Sequence, residues 1–220
     1  MARAVAAELL ATCRHAWEEH RPPLMALAGG STPLPAYDRL ALGLNDKPLQ
    51  VIPTDERCVP HDQPAACNLS ALRMVFASAP GVRAVPITTA DGARNDSLEL
   101  ARKELATLPW FDATVLGMGA DGHFASLFPE SAGLADALNL ETSDDAIALM
   151  PARIPPEAPY ERITLTLPRL LRSRRVLLVI SGNAKRDVLE LALAGNADPI
   201  RCPVSALLRA APGLVTHWSP

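Results

Sequence analysis

The chain has 220 residues, of which 49% are hydrophobic; this is enough for a full core and favours a single α/β domain over residues 1–220. The formal net charge is −3 and there is no long basic run, so nothing in the composition indicates binding to nucleic acid or to an anionic membrane. No window approaches 18 apolar residues and no signal-peptide pattern is present, so we expect a cytoplasmic protein.

Cysteine and histidine positions show no metal-binding pattern. The four cysteines lack CxxC spacing and fit a reduced protein better than a disulfide or zinc framework. Four of the five histidines also fit no ligand spacing, and we interpret them as surface residues. These residues are Cys13, Cys58, Cys67 and Cys202, with His15, His20, His61 and His217.

Apolar periodicity predicts alternating helices and short buried strands. At the start of the chain, Val5, Leu9, Cys13 and Trp17 recur at every fourth position, which is typical of an amphipathic helix. The alternation predicts an open, mainly parallel sheet with helices on both faces, a Rossmann-like α/β fold. The predicted helices cover 2–20, 34–44, 68–76, 98–108 and 184–194, with a short one from 203; the predicted strands cover 24–28, 50–54, 83–87, 113–116, 146–150, 162–166, 176–180 and 214–217.

The first strand runs directly into Gly29, Gly30, Ser31, Thr32 and Pro33. Two glycines free the backbone, two hydroxyls can donate to oxygens, and the following helix N-terminus carries a partial positive charge; together these features favour phosphate binding. The alternative is an ordinary helix start in which Ser31 or Thr32 is the N-cap. The turn is not a Walker A loop, because no Gly-Lys-Ser/Thr follows.

Charged residues follow the strand predicted at 50–54. Arg57 is suited to a bidentate contact with phosphate, and Asp55 to accepting hydrogen bonds from sugar hydroxyls. A polar, solvated loop made of Asp55, Glu56 and Arg57 is the alternative. The next helix has Asn68 as its expected N-cap.

A glycine-rich turn follows the strand predicted at 113–116. It carries Gly119, Asp121 and His123, and the residues HFASLF after it predict the first turns of a helix that ends at Pro129. Backbone N–H groups of such a loop can hold an oxyanion, and a histidine can accept and return a proton near neutral pH.

Asp121 has two possible functions in this turn: it orients the imidazole, or it holds a substrate hydroxyl. The alternative for the whole segment is a plain turn in which Asp121 caps a helix and His123 is solvated.

Two cations accompany the last predicted strands. Arg162 opens the strand after a loop marked by Pro155-Pro156, and we expect it to be a cation available to a ligand. Lys185 lies in the first turn of a helix that follows a glycine turn at Gly182. A cation there opposes the helix dipole, so a bound anion would compensate it; an ordinary surface lysine is the alternative.

Four turns, at Gly30, Asp55, Gly119 and Gly182, therefore collect the polar and flexible residues at one edge of the predicted sheet. Ligands bind at the carboxyl ends of the strands in open α/β sheets. Hydroxyls, cations, carboxylates and a histidine together indicate a site for a small hydroxylated anion rather than a binding module or a scaffold.

In four sequence blocks the chain resembles the 6-phosphogluconolactonases, which have the sugar-phosphate isomerase-like (NagB/RpiA-like) fold. The blocks are LAGGSTPLPAYDRL, TDERCVP, LGMGADGHFASLFPES, and RITLTLPRLL with VISGNAKRDVL, of which the third is the most specific. The resemblance implies hydrolysis of 6-phospho-D-glucono-1,5-lactone in the oxidative pentose phosphate pathway. It implies no metal and no organic cofactor.

The resemblance also implies roles for individual residues. His123 would be the general base that activates water and then returns the proton to the ring oxygen, with loop N–H groups stabilising the oxyanion. Asp121 and Asp55 would orient His123 and the sugar. We expect a sugar-phosphate lactone as the only partner, and a monomer or small homo-oligomer. The positions matching phosphate and sugar binding are Gly30, Ser31, Thr32, Arg57, Asn68, Gly119, Arg162 and Lys185.

Two departures from the family pattern accompany this resemblance. Family members usually begin with an extra strand before the first helix, which this chain lacks, so we expect one sheet edge to be shorter or differently covered. Cys67 precedes Asn68 where many relatives have a Ser-Asn pair. A contact from Asn68 stays possible, whereas one from a serine hydroxyl is lost.

Three competing functions can be compared with this one. A hexosamine-phosphate deaminase or isomerase of the same fold would place a catalytic glutamate in an FNEP-type turn, whereas the stretch here reads ASLFPES and Glu130 is displaced. A sugar-phosphate sensor of a transcriptional regulator would need a basic helix-turn-helix, for which we see no room before the first strand. Binding without catalysis stays open, because a site alone does not establish an activity.

Overall fold

The computed structural model describes residues 1–63, 67–153 and 158–220, so the loop expected at Pro155-Pro156 lies outside the described residues. Within these ranges helices and strands alternate along the chain. The helices are α1 (Ala2–Glu18), α2 (Leu34–Gly43), α3 (Asn68–Val75), α4 (Arg94–Ala106), α5 (Leu134–Leu138), α6 (Leu167–Leu171), α7 (Asn183–Leu193) and α8 (Val204–Ala210). The strands are β1 (Leu24–Leu27), β2 (Leu49–Pro53), β3 (Asp55–Arg57), β4 (Val82–Ala84), β5 (Ala113–Leu116), β6 (Ala146–Leu149), β7 (Arg162–Leu165), β8 (Val176–Ser181) and β9 (Val215–Ser219).

Six strands form an open sheet in the order β4-β2-β1-β5-β8-β9, and every neighbouring pair is parallel. Successive side chains of a strand point to opposite sides, and the central strands of this sheet bury side chains on both faces. In β8, Leu177 and Val179 join a core with α1, α2 and α3, whereas Leu178 and Ile180 join a core with α4 to α8. The predicted open, parallel sheet with helices on both faces is confirmed.

A second, antiparallel sheet has the order β3-β7-β6, and the sequence does not predict it. Two of its strands were expected from their apolar pattern, but local pattern carries no information about which strand pairs with which. The solvated loop considered for residues 55–57 is wrong, because these residues form β3 and both Asp55 and Glu56 are buried. The small sheet brings β3 and β7 to the carboxyl edge of the large one.

The helix predicted at 123–128 is also wrong. The segment forms tight turns in which the N–H of Leu127 donates to the carbonyl of Phe124, and Ala125 has a φ of 48°. Phe124, Leu127 and Phe128 are all buried, so their spacing reflects a turn enclosed by the core instead of one face of a helix.

Smaller differences concern a boundary and two histidines. Helix α4 begins at Arg94 and not at 98. His61 and His217 are partly buried and hydrogen-bond to Thr88 and Glu8, respectively.

All four cysteines are unpaired. No helix in the described ranges combines the length and the apolarity needed to cross a membrane.

Candidate active site

A cleft of about 250 Å³ opens at the carboxyl ends of β1 and β5, beside β3 and β7. The structure brings together in it every residue predicted to bind substrate, as well as His123, whereas Asp121 lies just outside its lining. The predicted residues that line it are Gly30, Ser31, Thr32, Asp55, Arg57, Asn68, Gly119, His123, Arg162 and Lys185.

The imidazole of His123 is held by Asp121. The distance between His123 Nδ1 and Asp121 Oδ1 is 2.6 Å, and the backbone N–H of His123 donates to the same oxygen at 3.1 Å. The side chain of His123 is 28% exposed, so it is reachable from the cleft. With Nδ1 engaged, Nε2 is the ring nitrogen left for a ligand, which is the arrangement of an oriented general base.

The pKa of Asp121 reflects this pairing. Burial alone would raise the pKa, but the hydrogen bond and charge of His123 lower it below the ordinary value of an aspartate. The carboxylate therefore stays ionised at neutral pH.

Gly119 makes room for the pair. A methyl group at this position would lie 2.6 Å from Asp121 Oδ1 and inside the contact distance of the His123 ring. The Gly119 N–H donates to the carbonyl of His123, and the N–H of Gly122 donates to Gly119. These two amides close the loop on itself, so they are not the oxyanion donors that the glycine-rich turn suggested.

Phe128 covers the imidazole, and nothing in the sequence pointed to it beyond its place before a proline. The ring centroids of Phe128 and His123 are 4.1 Å apart at an interplanar angle of 30°. The guanidinium carbon of Arg162 lies 5.3 Å from the centroid of Phe128. Phe128 thus contacts both the histidine and a cation of the cleft.

Asp55 does not share the role of Asp121. Its Oδ2 accepts a hydrogen bond of 2.6 Å from Ser126 Oγ, and its Oδ1 lies 3.2 Å from Thr54 Oγ1. The N–H of Ser126 donates in turn to Thr164. This buried network ties the histidine loop to the small sheet, and Asp121 is the carboxylate that holds the imidazole.

The first turn is open to a ligand and is not a side-chain cap. The N-cap of α2 is Pro33, without a side-chain capping bond, so the capping alternative for Ser31 and Thr32 is wrong. Thr32 Oγ1 lies 3.3 Å from Ser181 Oγ, which links this turn to the end of β8.

Asn68 closes one wall of the cleft. Its Nδ2 donates to the carbonyl of Asp55 at 2.8 Å, and its side chain occupies the space that a methyl group on Gly29 would need. The predicted N-cap role of Asn68 is wrong: the N-cap of α3 is Cys67, and Asn68 is the first helical residue.

Three cations surround the cleft. Arg57 and Arg162 are cross-strand neighbours in the antiparallel pair of β3 and β7, and Lys185 lies in the first turn of α7. The prediction of a free cation at Arg162 is wrong: this residue is only 3% exposed and donates to the carbonyls of Tyr160 and Ala158, although it still lines the cleft.

The fold and this cleft define a class: an α/β protein with a histidine held by an aspartate in a cation-lined cleft at the carboxyl edge of a parallel sheet. Comparison with known proteins gives the family. Residues 1–218 match the family model described as "Glucosamine-6-phosphate isomerases/6-phosphogluconolactonase", and the chain belongs to this family.

Individual relatives resemble the chain over nearly their whole length. A 6-phosphogluconolactonase of Pseudomonas aeruginosa is 34% identical, with 100% of this chain and 90% of the relative covered. One from Caulobacter vibrioides is 33% identical over 94% of the chain and 87% of the relative. The crystal structure of a 6-phosphogluconolactonase from Shewanella baltica superposes with a TM-score of 0.87 at 28% identity, covering 100% of this chain and 93% of that one.

Proposed function

We propose that the chain hydrolyses 6-phospho-D-glucono-1,5-lactone to 6-phosphogluconate, with His123 as the general base. Two relatives that are 34% and 33% identical to the chain carry the name of this activity. The observation that supports it most strongly is the Asp121–His123 pair, which faces a cleft that also holds three cations.

In the proposed mechanism, Nε2 of His123 takes a proton from water as the water oxygen bonds to the lactone carbonyl carbon. The ionised Asp121 stabilises the imidazolium that results and holds its orientation. Collapse of the tetrahedral intermediate breaks the bond between that carbon and the ring oxygen. The imidazolium then returns its proton to the ring oxygen, and the new carboxylic acid loses a proton to solvent.

The phosphate is proposed to bind among Arg57, Arg162 and Lys185. Guanidinium groups suit bidentate contacts with phosphate, and a phosphate dianion would offset the unfavourable position of Lys185 at a helix N-terminus. The hydroxyls of Ser31 and Thr32, at the first turn, are available for further hydrogen bonds to the ligand.

The position of Glu130 favours the lactonase over the isomerase activity of the same family. An isomerase would need a glutamate close to the histidine, inside the cleft. Glu130 instead lines a neighbouring depression, where its carboxylate lies 3.8 Å from Arg153 and its N–H donates to the carbonyl of Ile200.

The test generates the lactone in situ from glucose 6-phosphate and follows its loss with wild type, His123→Ala and His15→Ala. His15 is exposed on α1, so its replacement is the matched control. We expect wild type and His15→Ala to exceed the spontaneous rate alike, and His123→Ala to fall by about 10²-fold or more. A wild-type rate equal to the spontaneous rate would refute the activity, and an unimpaired His123→Ala would refute the base assignment.

A further inference from the structure

Glu56 is a fully buried carboxylate that does not line the cleft. Its Oε1 accepts from the N–H groups of Arg57 and Asn68, both at 2.8 Å. Its Oε2 accepts from the N–H of Leu69 at 2.6 Å and from Cys67 Sγ at 3.3 Å. Four donors from two chain segments therefore converge on one side chain.

These contacts make Glu56 the cap of helix α3. The N-cap residue, Cys67, makes no side-chain capping bond, so the first N–H groups of the helix need another acceptor. The carboxylate of Glu56 provides it from a neighbouring strand, and its negative charge also suits the positive end of the helix dipole.

The capped end of α3 carries a residue of the cleft. Asn68 donates through Nδ2 to the carbonyl of Asp55, and its side chain packs against Gly29 of the first turn. Glu56 fixes the backbone of Asn68 on one side and that of Arg57 on the other. One carboxylate therefore links the backbones of these two cleft residues directly.

We propose that Glu56 is a positioning residue that holds Arg57 and Asn68 in the relative positions that substrate binding requires. The inference rests on the proposed function, because it concerns the same cleft. Glu56 reaches neither His123 nor Asp121 through the hydrogen bonds described, so its loss acts on binding more than on the chemical step.

Glu56→Gln is the direct test, because glutamine keeps the shape but turns an NH₂ group toward backbone N–H donors. The matched control is Asp112→Asn. Asp112 is also a buried carboxylate that accepts from a backbone N–H, that of Leu24, but it precedes β5 at the opposite end of the sheet. Where Glu56→Gln does not fold, Glu56→Asp replaces it, since the shorter side chain withdraws the carboxylate from α3.

Three quantities are measured for each variant: the melting temperature, kcat and KM for the lactone, and the Kd for the stable product 6-phosphogluconate. We expect Glu56→Gln to raise KM and Kd about 10-fold or more with kcat within about threefold. Asp112→Asn should lower the melting temperature and leave KM and Kd unchanged.

The outcomes separate the two proposals. A melting temperature that falls while KM and Kd stay at wild-type values in both variants would show a purely structural role for Glu56. Wild type that binds 6-phosphogluconate without turnover would refute the proposed function, and the Kd of Glu56→Gln would still decide the inference. Wild type that neither binds nor turns over would overturn both.

Discussion

Replacement of Gly119 by alanine should displace the side chains of the His123–Asp121 pair while leaving the stability of the fold nearly unchanged. The added methyl carbon would lie 2.6 Å from Asp121 Oδ1 and closer still to the imidazole. To reach ordinary contact at 3.4 Å, the carboxylate must move by about 0.8 Å and the ring by more. The φ of Gly119 is outside the left-handed region, so alanine itself brings no backbone strain.

A displacement of this size at a catalytic base typically costs about 10²-fold in rate. We therefore expect Gly119→Ala to lower kcat by about 10²-fold and to change the melting temperature by only a few degrees. Steady-state kinetics on the phosphorylated lactone and thermal unfolding measure the two quantities on the same preparation.

Gly213→Ala, a change outside the cleft, is the control. Nothing lies within 4 Å of a methyl group placed there, and this glycine also lacks a left-handed φ. We expect its kcat to stay within about threefold of wild type. Equal kcat values for the two variants would refute the reasoning, because they would show that the orientation of His123 does not limit the reaction.

Three further predictions concern the surroundings of the same histidine. Asp121→Asn should lower kcat at least about 10-fold. Pairing with His123 depresses the pKa of Asp121, so the ionised carboxylate stabilises the folded protein above the pKa that Asp121 has in the unfolded chain, and this stabilisation is lost as pH falls through its pKa in the folded protein. The difference in unfolding free energy between wild type and Asp121→Asn should therefore shrink below about pH 4, as measured by urea titration across pH. Phe128→Leu removes the stacked ring and should lower kcat about 10-fold with a loss of about 1 kcal/mol in unfolding free energy, whereas an unchanged kcat would contradict a positioning role for the ring. Lys185→Met should raise KM for the phosphorylated lactone about 10-fold or more and leave that for unphosphorylated gluconolactone nearly unchanged; equal effects on both would exclude a phosphate contact.

Much of the fold could be predicted because its signals are local. Strand β5 coincides with the strand predicted at 113–116. Helix α1 was predicted because the buried residues Val5, Leu9 and Cys13 recur at every fourth position. The proximity of Asp121 and His123 is likewise local, since two residues in one tight turn can hardly be far apart.

The remaining features depend on contacts between distant parts of the chain. The acceptor of the α3 N–H groups is Glu56, twelve or more residues away, and the hydrogen bond between Asp55 and Ser126 spans 71 residues. The pairing of β3 with β7 likewise joins two segments that are far apart in the sequence. Three consecutive charged residues have the same sequence pattern in a loop and in a buried strand. The burial of Asp55 and Glu56 therefore follows only from the tertiary structure.

Turnover of three substrates by the wild-type protein tests the central claim most directly. The substrates are 6-phosphogluconolactone, unphosphorylated gluconolactone and glucosamine 6-phosphate, each followed against its spontaneous reaction. The account predicts rapid hydrolysis of the phosphorylated lactone, a much lower kcat/KM for the unphosphorylated one because it has no phosphate for the cleft to bind, and no reaction of the amino sugar. Turnover of glucosamine 6-phosphate with no acceleration of lactone hydrolysis would contradict it and assign the cleft to the isomerase branch of the family.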